Sequence, residues 1–218
     1  SLKLPADKIC YIQWAANPED YDRLSTNIVN GPYAKDRYII SMGKSNRDYR
    51  TLINAFRKID RPDLHLKIYC GASKLKNIKE NRVNINHNFI NFRESIKEYK
   101  NAEFAVIPLI KTNRTLGLTS MFDAMAMEKS FIITRNLGID IDIEKEKIGL
   151  WTDPYNVDDL KNKMKFLLEN PIIAKQYGNN GKKYLEDNYN YRKFCEKLYD
   201  IANRTYEKYV QFNIQKRQ

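Results

Sequence analysis

No apolar run in this chain approaches the roughly 20 residues that a membrane-spanning helix needs; FAVIPLI, residues 104–110, is among the longest. A bilayer span is therefore excluded by composition. The amino terminus, SLKLPADK, has neither an apolar signal core nor an initiator Met, and reads as a boundary within a longer protein rather than a targeting segment. Cysteine is scarce: Cys10, Cys70 and Cys195 are widely spaced and odd in number, which fits neither a disulfide framework nor a CxxC metal site and points to a reducing cytoplasm. Cys70, within KIYCG, is expected to be a small buried hydrophobe. Only two histidines occur: His65 alternates with apolar neighbours and reads as structural, and His87 follows a strand-like run with its role open. The chain lacks GxxxxGK[ST], GxGxxG and any Ser/His/Asp, Cys/His or metal-ligand spacing, so no P-loop, dinucleotide fingerprint, catalytic triad or metal centre is implied.

What is present is enough apolar residue, 42% of 218, to build a sizeable core. Lys and Arg total 38 against 27 acids, a formal charge of +11. Such an excess favours an anionic partner, whether nucleic acid, phospholipid surface or phosphorylated small molecule, although a dispersed Lys, Asn and Ile excess is equally what genome composition produces. The charge is spread along the chain with no arginine-rich tract and no RRM, KH or zinc-finger motif, so specific nucleic-acid recognition is the weaker class.

Short apolar runs alternate with amphipathic stretches. RYIISMG (37–43) predicts a buried strand ending in glycine, and DYRTLINAFRKI (48–59) a helix with Tyr49, Leu52, Ile53 and Phe56 on one face. Further strands are predicted in LHLKIYCG, RVNINHNFI, EFAVIPL, SFIIT and KIGLW, and short helices in SIKEYKNA and around Asp123. This pattern predicts an α/β fold, a Rossmann-like doubly wound parallel sheet, with ligands beyond the carboxyl ends of the strands. From residue 157 the pattern is wholly helical: one helix at 157–170, a second from Pro171, and a last one carrying Phe194, Leu198, Ile201 and Tyr206 along one side before a polar tail. ICYIQW (9–14) resembles a lone strand, and NPEDYDRLSTNIVNGPYAKD a polar connector with turn signals. The expected organisation is residues 1–36 as the tail of a preceding domain plus linker, 37–202 as the nucleotide-binding domain and 203–218 as a helix end and tail.

Three strand ends offer polar groups. In GKSNRDY (43–49), Gly43 allows close backbone approach, with Lys44 and Arg47 following; this is either a diphosphate cradle or a solvated basic loop. In GLTSMFDAMAMEKSFIIT (117–134), Gly117 and Leu118 lead into Thr119 and Ser120, both N-cap formers, and Asp123 stands three residues after Ser120. One reading of Asp123 is a capping box that fixes the helix start. The other is a carboxylate that accepts hydrogen bonds from a sugar diol beside a phosphate held by the helix terminus. Spacing leaves both open. PLIKTNRT (108–115), with Lys111 and Arg114, is the third strand end.

Taken in order, these segments resemble the C-terminal domain of GT-B nucleotide-sugar glycosyltransferases, most closely glycosyltransferase family four. RYIISMGKSNRDYRTLINAF is similar to that family's opening strand and basic loop. EYKNAEFAVIPL is similar to its "y..ad..v.Ps" segment, GLTSMFDAMAMEKSFIIT to its "EAMA.GkPVi.t" segment, and DPYNVDDLKNKMKFLLENP with YGNNGKKYL to its closing helices. The resemblance covers residues 37–199 and implies one half of a GT-B fold with C-terminal helices. It further implies that Gly43, Lys44, Arg47 and the Gly117, Leu118, Thr119 and Ser120 stretch hold the donor diphosphate, and that Asp123 binds the ribose at the position of the second glutamate of EX7E. The first glutamate of that motif is Thr115 here, and Glu128-Lys129-Ser130 replaces the usual Gly-Lys-Pro. No catalytic residue is assigned, because the family's base and acceptor site lie mainly in the N-terminal half.

The resulting expectation is a donor-binding domain of a retaining glycosyltransferase of bacterial surface-polysaccharide synthesis. It uses a nucleotide-diphospho-sugar donor, a glycan or lipid-linked acceptor and no further cofactor or metal. It is expected in the cytoplasm, with peripheral contact to an anionic membrane and no specific nucleic acid. The rivals are a catalytically degenerate nucleotide-sugar-binding module, which the missing first glutamate supports, a GT-B sugar-nucleotide epimerase, and a nucleic-acid binder motivated by the net charge alone.

Overall fold

The computed structural model describes residues 5, 9–26, 37–71, 75, 78, 80–88 and 90–215. In chain order the elements are α1 (Pro18–Ser25), β1 (Arg37–Met42), α2 (Tyr49–Arg57), β2 (Leu64–Tyr69), β3 (Val83–Asn86), α3 (Phe92–Asn101), β4 (Ala105–Ile107), α4 (Leu118–Ala126), β5 (Phe131–Thr134), β6 (Gly149–Thr152), α5 (Val157–Glu169), α6 (Pro171–Asn188) and α7 (Tyr191–Gln215). The chain divides into two compact units, residues 19–183 and residues 1–18 with 184–218.

The first unit holds a six-stranded sheet in the order β3-β2-β1-β4-β5-β6, with every pairing parallel. This is the doubly wound arrangement expected from the sequence, and its order reverses between β1 and β4, where Ile40 pairs with Ala105. The strands are apolar because they are covered on both sides: Tyr38, Ile39, Ile40, Val106, Ile132 and Ile133 are all buried. Asp48 starts α2 by accepting from the Thr51 amide at 3.1 Å, a cap worth about 1 kcal/mol. The helix then turns Leu52, Ile53 and Phe56 into a core shared with Leu160, Met164 and Leu167 of α5. α3 starts with a capping box between Asn91 and Glu94.

Two expectations about the amino-terminal region change. The polar stretch after Asn17 forms α1, and its Tyr21 is buried, with its ring edge-on to Phe92 at 5.0 Å; residues 27–36 of that stretch lie outside the described residues. Residues 9–14 form no strand. Ile9, Tyr11 and Trp14 are exposed, and the nearest pairing is a single bridge from Ala16 to Asn190, closed by the Ala16 amide on the Tyr189 carbonyl at 2.9 Å. A β-propensity run without a partner strand gains no ladder hydrogen bonds and stays irregular. α7 forms as its periodicity predicts, yet Leu198 and Tyr206 of its apolar side stand exposed.

Candidate functional site

The carboxyl ends of β1 and β4 and the start of α4 meet at the switch point of the sheet. β1 ends at Gly43, whose φ of +149° is open to glycine and strained for other residues. A Cβ there would lie 2.5 to 2.6 Å from the Arg47 guanidinium, so the missing side chain is the space the arginine occupies. The loop then folds back on its own strand. Tyr49 Oη donates to the Gly43 carbonyl at 2.6 Å, the Asp48 amide to the Pro108 carbonyl at 2.8 Å and the Ile110 amide to the Asn46 carbonyl at 3.2 Å, which pins the loop across the end of β4.

Arg47 is held wholly by neutral groups. Nη2 donates to Ser120 Oγ at 3.0 Å, Nη1 to the Ser45 carbonyl at 3.3 Å and Nε to the Met42 carbonyl at 3.4 Å. No carboxylate among the described residues lies within the 4.0 Å of an ion pair. Burial pulls its pKa down from the ordinary guanidinium value; the charge is desolvated and uncompensated, which is the condition under which an anionic ligand gains most. Lys44, next to Gly43, is exposed, and its stem lies over Gly71.

Opposite stands α4. Its N-cap is Gly117, in the left-handed conformation at φ 84°, and no side chain caps the helix. α2, α3 and α5 each carry a side-chain cap, whereas the first-turn amides of Leu118, Thr119 and Ser120 in α4 have none. This corrects the capping-box reading. The helix begins one turn earlier than Ser120 as an N-cap requires, and Ser120 is buried inside the first turn, donating to the Met42 carbonyl at 3.1 Å while it accepts from Arg47.

Asp123, three residues on and therefore on the same face as Ser120, does not reach back to the helix start. Its Oδ1 accepts from Tyr21 Oη at 2.7 Å. Burial raises the Asp123 pKa to about 6, and the Tyr21 hydrogen bond opposes the rise by stabilising the carboxylate. Burial and the Asp123 charge in turn push the Tyr21 phenol up, so the tyrosine stays a donor at every physiological pH. Tyr21 is the site residue that sequence reasoning missed; a tyrosine 102 residues away in a polar stretch carries no local signal.

The remaining candidates separate. Thr115 is exposed and donates to the Gly138 carbonyl at 2.9 Å. Lys111 and Arg114 are exposed, as a solvated loop would have them. Cys70 is buried, as expected of a small hydrophobe, at 3.7 Å from His87 Nδ1, which also lies 3.1 Å from the Gly71 carbonyl. Among the described residues no three His, Cys, Asp or Glu side chains are grouped as metal ligands, and no helix is long and apolar enough to cross a membrane.

The sequence profile described as "Glycosyl transferases group 1" matches residues 23–184, about three-quarters of the chain. The chain belongs to the group 1 glycosyl transferases. This group 1 domain matches no curated protein, but many solved structures share its fold. Sucrose-phosphate synthase from Thermosynechococcus elongatus is 18% identical with a TM-score of 0.72, over 90% of this chain and 52% of that one. The Anabaena protein HepE, solved with UDP and glucose, is 12% identical with a TM-score of 0.70, over 92% and 58%. The C-terminal domain of a group 1 glycosyl transferase from Francisella tularensis is 14% identical with a TM-score of 0.57, over 82% of this chain and 96% of that one. The group 1 chain thus spans about half the length of these longer relatives, and its sheet is the Rossmann-like half of a GT-B fold.

Proposed function

We propose that this domain binds the donor of a retaining GT-B glycosyltransferase, a nucleotide-diphospho-sugar. The single observation that carries this reading is Arg47: a desolvated guanidinium with no carboxylate partner, tied through Ser120 to the uncapped start of α4. A diphosphate seated there is bound by Arg47, Lys44 and the amides of Gly117 to Ser120, with Gly43 leaving the space that Arg47 fills. The leaving nucleoside diphosphate gains negative charge as the glycosidic bond breaks, and a fixed cation facing a helix N-terminus stabilises that charge more in the transition state than in the ground state. Asp123, ionised above pH about 6, accepts from the ribose hydroxyls, and Tyr21 orients it. The nucleotide-binding portion comprises α1, which contributes Tyr21, together with the sheet and helices of residues 37–183.

The whole enzyme transfers sugar to a glycan or lipid-linked acceptor in surface-glycan synthesis. It works in the cytoplasm at the inner face of the membrane, where a net charge of +11 favours anionic lipid. A degenerate binding module is favoured by one observation: Thr115, at the first glutamate position, is occupied with the Gly138 carbonyl.

The test is calorimetric titration of UDP, GDP and ADP into wild type, Asp123→Asn and Arg47→Ala. Micromolar to millimolar binding of at least one nucleotide, weakened at least tenfold in both variants, is expected. Unchanged affinity in Asp123→Asn rejects the ribose role, and unchanged affinity in Arg47→Ala rejects the site.

A further inference from the structure

The opposite, amino edge of the sheet carries a cavity of about 570 Å³, walled by the end of α4, the residues entering β4 and β5, α1 and the first turns of α6. Four lysines line it, Lys100, Lys129, Lys175 and Lys182, with three acids, Asp22, Glu103 and Glu128. The acids are already engaged. Glu103 accepts from Arg37 Nε at 2.6 Å, and Lys182 bridges Asp22 at 2.8 Å and Glu128 at 3.3 Å.

That leaves three cations on the wall. Lys100 Nζ donates to a neutral group, the Ser25 carbonyl, at 2.7 Å. Lys129 and Lys175 have no carboxylate within 4.0 Å among the described residues. Lys129 is partly buried, and burial pulls its pKa below the ordinary lysine value against the opposing charges of Glu103 and Glu128. An ammonium partly desolvated on a cavity wall with no carboxylate in ion-pair range is unfavourable in itself, and an anion in the cavity offsets that cost. The first turn of α6, through Pro171, Ala174 and Lys175, faces the same space, and its dipole favours negative charge.

We infer that this cavity is a second anion site, for a phosphomonoester held by Lys100, Lys129 and Lys175 at the edge of the sheet opposite the nucleotide. A dianion matches three ammoniums better than a single carboxylate does, and lysine binds phosphate as a point charge without the planar geometry of arginine. The volume suits a phosphorylated small molecule or a lipid headgroup.

The experiment is titration of inorganic phosphate into the isotopically labelled chain, followed by amide chemical shifts, in wild type, Lys129→Gln and Lys175→Gln, each also in an Arg47→Ala background that silences the nucleotide edge. Saturable shifts at residues 100–104, 126–129 and 171–175 are expected, persisting with Arg47→Ala and weakened at least tenfold by Lys129→Gln. Lys175 is exposed, so its replacement leaves the fold intact, and an affinity loss of at least threefold there is expected too. Shifts confined to residues 43–47 and 117–120, no shifts at all, or equal saturation in the lysine variants each overturn the site. Sedimentation with phosphatidylcholine vesicles, with and without phosphatidic acid, assigns the source. Retention that needs both phosphatidic acid and Lys129 means a headgroup, and phosphate binding without retention means a free metabolite.

Discussion

At the carboxyl edge of the sheet, Arg47 and Asp123 are held by carbonyls and hydroxyls; at the amino edge, Lys182 and Arg37 are held by carboxylates. The two edges share one core and one set of strands, so the difference lies in what the side chains are for. A charge balanced by an opposite charge contributes little beyond local order, roughly 0 to 1 kcal/mol when exposed. A charge held only by dipoles keeps most of its Coulombic potential for a ligand. Lys100, Lys129 and Lys175 are the exceptions at the amino edge, and they are the groups on which the second anion site rests.

The comparison breaks most visibly at Arg47. Replacing it by Ala is expected to weaken UDP binding on the order of 100-fold, since a charge-assisted hydrogen-bond set in a desolvated site is worth roughly 3 kcal/mol; calorimetry reads this directly. Gly43→Ala acts on the same arginine indirectly. The new Cβ, 2.5 to 2.6 Å from the guanidinium at a φ of +149°, is expected to displace Arg47, with about a tenfold loss of affinity and a stability loss of about 1–3 kcal/mol by denaturant titration.

Asp123→Asn sharpens the comparison because stability and binding move in opposite directions. The folded protein raises this carboxyl from 3.8 to about 6, so between those values the native state holds more proton than the unfolded one. The group therefore costs stability as pH rises through that window, and the full cost persists at neutral pH. A shift of that size corresponds to roughly 3 kcal/mol, which partial exposure lowers, so Asp123→Asn is expected to gain on the order of 2 kcal/mol at pH 7 and to flatten the stability profile between pH 4 and 6. Nucleotide affinity of the wild type falls as pH drops through about 6, and that dependence disappears in the variant.

Tyr21→Phe removes the donor that holds the carboxylate down. Its pKa rises further, so UDP affinity at pH 7 is expected to fall about threefold while the gap to wild type narrows at pH 8.5. The smallest effect belongs to the paired edge: Lys182→Met, which breaks two partly exposed ion pairs, is expected to shift stability by less than about 1 kcal/mol and UDP affinity by less than twofold. An effect on nucleotide affinity as large as that of Arg47→Ala would erase the distinction between the edges.

The capping-box reading failed for a local reason. Ser, Thr and Gly all start helices, and in GLTSMFD three of them fall within four residues, so spacing could not say which one ends the loop. With Gly117 at the N-cap, Ser120 became an interior group free to join Arg47 and Met42. The strand at residues 9–14 failed because β-propensity predicts a fit to a sheet and says nothing of whether an edge is available.

By itself the sequence determined the alternation of strands and helices, the parallel sheet, the basic loop after β1 and the glycine before α4. Each of these is written in nearest-neighbour terms, as hydrophobic period, cap residues and residues that tolerate unusual φ. Only the tertiary structure decided that Arg47 lies in the space left by Gly43, that Asp123 answers to Tyr21 rather than to its own helix, and that three lysines from separate elements share one cavity without carboxylate partners. The first is a matter of how one loop folds back on itself, and the other two are through-space electrostatic relations between groups tens of residues apart, whose magnitude depends on burial and distance, which no local pattern encodes.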